Sequence, residues 1–362
     1  MIGWLSPPRS ARLSLITGVV GVLAFTSLIF SPIAGAEPIR GAGSTFAAPI
    51  INKWSHDYEA FRTDGGDYTS PDWQVDYEPV GSLAGVMRLN QPDVDFAATD
   101  APLLPEELNQ RGWAQFPIVM GGITVVANLD GVGAGQLRLS APVLADIYLG
   151  KITNWSDPAI KALNPGLSLP DATIEVLHRQ DGSGSTLTFT TFLSSTSPEW
   201  KDKYGANTLI PWPRGRGERG TGGLAALAAA TKNSIAYLEY GQVIRAGMPF
   251  VSLENSSGTF VRPGPESFRA GLAKAGWKPS AEASADRVKP AEANAYPMVV
   301  VTYAVLPKDR GPQRINRVLD LFRLAFKQGG DEAVALGYIP VSTELADQID
   351  AYWVKNLSSV NN

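Results

Sequence analysis

The residues with most capacity for chemistry lie in four short runs rich in glycine and hydroxyl side chains. These are Gly41-Ala42-Gly43-Ser44-Thr45-Phe46, Gly81-Ser82-Leu83-Ala84-Gly85, Asp181-Gly182-Ser183-Gly184-Ser185-Thr186 and Gly220-Thr221-Gly222-Gly223. Each reads as a strand end or loop that runs into a helix. Glycine lets backbone N–H groups come close to a guest, and the first N–H groups of a helix are unpaired and carry partial positive charge. Serine and threonine hydroxyls add donors without bulk. The chemistry this supports is capture of an oxyanion. One such run alone is ordinarily a helix cap. Several in one chain, one of them just beyond Arg179, favour a binding role.

Other motifs carry less. Gly215-Arg216-Gly217-Glu218-Arg219-Gly220 has the G-x-G-x-x-G spacing, but it follows Pro211 and Pro213, where a dinucleotide fingerprint would follow a strand. No G-x-S-x-G elbow occurs, and Ser183 has no evident histidine partner for a triad. His178 adjoins Arg179, but neighbours on a strand point to opposite faces, so it reads as a packed or surface histidine. Arg214, Arg216 and Arg219 could attract anions, although a solvated loop accounts for them as well. The absence of cysteine and the wide separation of His56 and His178 give no metal-type spacing. No metal, cofactor or catalytic centre is expected.

These runs need elements to position them. The chain has 362 residues, 44% hydrophobic and 18% charged, which suits two globular domains. A net charge of −4 argues against a nucleic-acid partner, which calls for a basic surface. Short β-like runs alternate with amphipathic helical stretches, the pattern of an α/β protein. Trp73, Val75 and Tyr77 alternate as in a half-buried strand. Val94–Ala98, Ile123–Val126, Ile174–Leu177 and Met298–Leu306 read as deeper strands. Helices are expected after Ser140, which would cap the first of them with Gly150 closing it, over Arg314–Gln328 and over Glu344–Trp353. Pro211–Gly223 reads as an extended loop before a helix from Leu224 to Ala230.

At the N-terminus, Arg9 and Arg12 precede an apolar run from Leu13 to Phe30, and Ala34-Gly35-Ala36 follows. That order is the pattern of a secretory signal peptide over residues 1–36, cleaved before Glu37. Residues with low apolarity and then Pro32 interrupt the run, which argues against a permanent anchor.

Four segments carry a resemblance to a known family. They are Gly41–Pro49, Val94–Leu103, Asp146–Trp155 and Arg179–Ser185. In this order they resemble the phosphate-binding subunit (PstS) of the phosphate-specific ABC transporter, and the similarity covers nearly all of the chain beyond residue 36. The resemblance implies an α/β, two-lobed type II periplasmic-binding-protein fold, with two crossover strands and a ligand cleft between the lobes. The first lobe would comprise residues 37–117 and 296–362, and the second residues 118–295. It further implies an exported, periplasmic, monomeric protein that is not an enzyme. Its partners would be inorganic phosphate and the membrane permease subunits of the transporter. Carried over by motif, the phosphate contacts are Thr45, Phe46 through its backbone N–H, Ser82 and Asp100 from one lobe. Arg179, Ser183, Gly184 and Ser185 come from the other, with Asp181 paired to Arg179. Two departures from the family pattern are Ser185 in place of threonine, and Leu83-Ala84 after Ser82. The second puts apolar bulk beside the expected site.

Asp100 is the informative residue of that set. A carboxylate repels an anion unless it accepts a hydrogen bond from it. Phosphate near neutral pH still carries protons and sulfate carries none, so Asp100 favours phosphate over sulfate or molybdate. Its competing role is a helix cap ahead of Ala101-Pro102. An exported hydrolase of phosphate esters is a further alternative, distinguished by a turnover assay.

Overall fold

The computed structural model describes residues 38–63, 74–273, 277 and 292–357. The expected signal peptide, its cleavage point and Trp73 lie outside the described residues. Twelve strands are described: β1 (Ile39–Gly43), β2 (Val75–Glu78), β3 (Phe96–Thr99), β4 (Trp113–Asn128), β5 (Arg138–Leu139), β6 (Glu175–Arg179), β7 (Arg216–Glu218), β8 (Ser234–Glu239), β9 (Ser252–Glu254), β10 (Phe260–Val261), β11 (Val299–Pro307) and β12 (Ile339–Pro340).

Eight of them follow the order β2-β1-β3-β11-β4-β8-β6-β7, and β12 adds to β4. The 16-residue β4 joins the two halves of this arrangement. Its first part, Trp113–Gly122, pairs antiparallel with β11, and its second part, Ile123–Asn128, pairs antiparallel with β8. Parallel pairs extend each half, β1 with β2 and β3 on one side and β6 with β7 and β8 on the other. Parallel strands need helical crossovers, and these supply the faces that cover the sheet. β4 is accordingly buried along nearly its whole length, and so shows no alternation of apolar and polar residues.

The two halves have separate aromatic centres. In the first, Phe116 and Phe96 both meet Phe322 edge-on, and Phe116 also meets Trp353. Phe322 comes from the helix Pro312–Gln328, whose stripe of Ile315, Val318, Leu319 and Phe322 is buried as its spacing predicts. In the second, Tyr237 of β8 stacks on Phe189 and on Trp212, which in turn meets Tyr148 and Trp200. Each fully buried aromatic of this kind contributes roughly 1.5–3 kcal/mol.

Three expectations about helix starts and loops are corrected. The helix Ala141–Leu149 does begin after Ser140 and end at Gly150, which takes up a left-handed conformation at φ 80°, but the Ser140 side chain makes no cap bond. Pro142 sits where the recipient N–H would be, and proline has none. The stretch Pro211–Gly223 is not all loop, since Arg216–Glu218 forms β7, paired through Leu177↔Arg216 and Arg179↔Glu218. Three polar residues at a sheet edge carry no periodicity by which sequence could reveal them. The G-x-G-x-x-G run therefore does include a strand. Its glycines, however, serve packing: a β-carbon at Gly215 would meet the Val176 carbonyl at 2.4 Å, and one at Gly217 would meet His178 at 2.9 Å. The helix that follows starts at Gly220, earlier than Leu224.

Candidate functional site

The four glycine-hydroxyl runs, 182 positions apart at their extremes from Gly41 to Gly223, close into a ring. Gly81 N donates to Gly43 O at 2.8 Å, which joins the first run to the second. Leu83 N donates to Gly182 O at 3.2 Å, which joins the second to the third. Gly220 N donates to Asp181 Oδ1 at 3.2 Å, which joins the third to the fourth. Thr221 and Thr45 complete the circuit, with Oγ1 atoms 2.9 Å apart. Glycine is required at the joints because backbone meets backbone there. At Gly43 the φ of 136° is open to glycine, and a β-carbon would stand 2.1 Å from Ala98 O.

Helix N-termini converge on the ring. Ser82 opens the helix Ser82–Arg88, and Gly184 opens the helix Gly184–Thr196 after Ser183, whose hydroxyl accepts from Thr186 N at 3.4 Å. Ser183 thus serves as the cap, and its own O–H proton remains available as a donor. Thr45 and Phe46 precede the helix Ala48–Thr63, where Ser44 Oγ accepts from Ala47 N at 3.1 Å. Phe46 is held from behind, because Tyr338 meets its ring edge-on and donates to its carbonyl at 2.6 Å. The N–H groups of these first turns are the ones a helix leaves unpaired.

Asp100 lies inside this ring, 2% exposed. It is surrounded by hydroxyl donors: Ser44 Oγ lies 2.8 Å from both carboxylate oxygens, Thr302 Oγ1 donates to Oδ1 at 2.7 Å, and Ser82 Oγ lies 3.2 Å from Oδ2. Burial pushes its carboxyl up to about 6 from 3.8, the nearby Glu239 charge adds to the rise, and the bonds from Thr302, Ser44 and Ser82 oppose it. The helix-cap alternative does not describe this geometry, because the Asp100 carboxylate is bonded to Ser44, Ser82 and Thr302 from three separate segments of the site.

Arg179, at the end of β6, is equally enclosed at 2% exposure. Asp181 takes its Nε at 2.6 Å and also binds Nη2, in a bidentate pair. Burial works against the charge on Arg179, but the bonds and charge of Asp181 outweigh it and raise its pKa. Burial raises Asp181 as well, and the Arg179 guanidinium reverses this and holds it below the usual carboxylate range. The remaining guanidinium N–H donors are left for a guest. The backbone of Arg179 is fixed too, its N–H by Tyr237 Oη at 3.0 Å and its carbonyl by Trp212 Nε1 at 3.0 Å. His178 stacks on Trp212 at 4.7 Å, and burial lowers its pKa. It is a packed histidine.

All nine residues singled out from sequence are thus gathered around one ring. Leu83 lies at the seam, where its Cβ would stand 2.5 Å from a β-carbon on Gly182. It fills the space left by that glycine, and its side chain is partly exposed. Two of the three arginines of the Pro211–Gly223 stretch are engaged elsewhere, Arg214 with Ile174 O and Arg216 with Thr231, whereas exposed Arg219 stands directly ahead of the fourth helix start. Sequence reasoning missed Ser44 and Thr302 as partners of Asp100. It also missed Glu239, which is 3% exposed and accepts from Ser185 Oγ at 2.9 Å and from Thr221 Oγ1 at 2.6 Å. No local signal marks Glu239, which simply ends a strand.

A family model described as "PBP superfamily domain" matches residues 31–322. The chain is 38% identical over 339 residues to the phosphate-binding protein PstS of Pasteurella multocida, covering 93% of this chain and 96% of that one. Among solved structures it resembles a high-affinity periplasmic phosphate-binding protein, PfluDING, with bound phosphate, at a TM-score of 0.66 and 18% identity, covering 87% and 93% of the two chains. It also resembles an ABC-type phosphate transport receptor from Vibrio cholerae, at a TM-score of 0.52 and 18% identity, covering 83% and 99%. At these identities the structural matches speak for the fold, which is the two-lobed type II periplasmic-binding fold.

Proposed function

This chain belongs to the PBP superfamily and, within it, to the PstS phosphate-binding proteins, and from that premise we propose that it is an exported protein that captures inorganic phosphate and delivers it to the permease of an ABC transporter. The observation that carries the reading is the closed ring itself, with one full positive charge, Arg179, and one buried acceptor, Asp100, inside a rim of hydroxyl and helix N-terminal donors. The backbone N–H groups of Thr45, Phe46, Gly184 and Ser185, with Ser82 and Ser183, would donate to phosphate oxygens, Arg179 would supply the charge, and Asp181 would hold it in place. Asp100 would accept the proton that phosphate carries.

About eight charge-assisted bonds at ~1.5–3 kcal/mol each exceed the ~8 kcal/mol of a micromolar complex. Desolvation of phosphate and closure of the lobes absorb the difference. Closure is the functional event, because a permease can select a liganded, closed shape over an open one. The lobes of this reading are residues 37–117 with 296–362, and residues 118–295. The switch of β4 from β11 to β8 near Gly122 and the start of β11 at Val299 support crossovers close to those boundaries.

Export to the periplasm rests on the N-terminal sequence pattern. No described helix is long and apolar enough to cross a membrane. We read the protein as a carrier and not a catalyst, and a turnover assay with phosphate esters, with and without divalent metal, checks this. The central test is calorimetric titration of residues 37–362, stripped of endogenous phosphate, near neutral pH. Tight one-to-one phosphate binding with sulfate silent is expected; binding of neither anion would overturn the reading.

A further inference from the structure

Glu239 is a buried carboxylate that the phosphate reading does not use. It ends β8, and its Oε1 takes two hydroxyl protons, from Ser185 at 2.9 Å and from Thr221 at 2.6 Å. Its Oε2 is sealed from solvent and has no hydrogen-bond partner among the described residues. Its charge is felt by Asp100, Arg179 and Tyr338, three groups that surround the ring from β3, β6 and the segment ahead of β12. A sealed acceptor without a donor is costly, and in a folded protein it calls for an explanation.

The proton count along this chain of hydroxyls explains its use. A hydroxyl has one proton. Thr221 gives its proton to the carboxylate, which is the stronger acceptor. The 2.9 Å contact between Thr221 and Thr45 must then be donated by Thr45. Ser185, Thr221 and Thr45 are all turned so that their protons run towards Glu239, and what they offer to the cleft is lone pairs. From this we infer that Glu239 is a specificity-determining residue: it polarises these hydroxyls, and with Asp100 makes the cleft select an oxyanion that carries a proton over one that carries none. The assignment rests on the phosphate reading above, since Thr45 and Ser185 are two of its contacts.

The test is calorimetry on the secreted protein, freed of phosphate, comparing phosphate with sulfate for wild type, Glu239→Gln and Glu239→Ala. Glutamine keeps a carbonyl acceptor for both hydroxyls, so Glu239→Gln should hold the phosphate-to-sulfate ratio within about threefold of wild type. Alanine frees the hydroxyls to donate, so Glu239→Ala should lower that ratio by about tenfold or more. If Glu239→Ala does not fold, judged by circular dichroism, Thr221→Val carries the same test, because it cuts the chain at its middle link with a side chain of equal shape. An unchanged ratio in the folded variant overturns the role of Glu239 and leaves the phosphate reading standing. Wild type that binds neither anion overturns both.

Discussion

Gly184 and Asp100 touch across the cleft: a β-carbon at Gly184 would stand 2.4 Å from Asp100 Cβ and 2.8 Å from both its Oδ2 and Ser82 Oγ. The first turn of one helix, from the second half of the sheet, is thereby laid directly over the buried acceptor of the first. This closeness lets a single small anion meet Arg179, Asp100 and several helix N-termini at once.

Gly184→Ala should therefore block closure and do little to the folding of either half. Gly184 opens a helix at ordinary φ, where alanine is welcome, so the collision with Asp100 is the whole effect. We expect phosphate affinity to fall by about a hundredfold, with circular dichroism unchanged. Small-angle scattering would show no contraction on adding phosphate. A variant that contracts and binds as wild type does would remove the contact from the mechanism.

Asp100→Asn should weaken phosphate relative to sulfate by about tenfold. The amide keeps the shape but has one acceptor oxygen where the carboxylate uses both, with Thr302 on Oδ1, Ser82 on Oδ2 and Ser44 reaching each. Paired titrations with the two anions measure the ratio. No change in it would count against Asp100 as the reader of the phosphate proton.

Asp100 also predicts a pH dependence of stability. Burial holds its carboxyl at about 6, above its ordinary 3.8. Between about pH 4 and pH 6 the phosphate-free folded chain keeps a proton that the unfolded chain has lost, so this group's contribution to stability falls as pH rises through that window. The gap corresponds to about 3 kcal/mol. Thermal unfolding across that window should show Asp100→Asn gaining on wild type as pH rises; parallel profiles would rule the effect out. Phosphate affinity should run the other way and decline below about pH 6, where protonation turns one of the two acceptor oxygens into a donor.

Asp181→Ala should destabilise the phosphate-free protein by ~3–5 kcal/mol, since it leaves Arg179 as a buried charge without its partner. Phosphate would restore a counter-charge. The rise in Tm on adding phosphate should therefore be larger in the variant than in wild type at an equal excess over Kd. Differential scanning calorimetry with and without phosphate decides this. An equal rise would mean that Asp181 and phosphate do not share Arg179.

Sequence by itself determined the α/β class and the four glycine-hydroxyl runs, and the family resemblance added the Arg179–Asp181 pair. These are local features: a glycine joint, a helix start, or two side chains two residues apart at a strand end are each set by neighbours in the chain. Only the tertiary structure decided which groups meet. Asp100 finds Ser44 and Thr302, which are 56 and 202 positions away, and Ser185 finds Glu239 at a separation of 54. Nothing in Tyr237-Leu238-Glu239-Tyr240 signals a site, because burial and hydroxyl partners come from the helices packed beside β8 and not from its own residues. The three-residue β7 was hidden for a related reason, since its pairing depends on β6 standing next to it and not on any pattern of its own. Local propensity is written in spacing, whereas the polarity of a buried network depends on which acceptor the fold brings within about 3 Å of each hydroxyl.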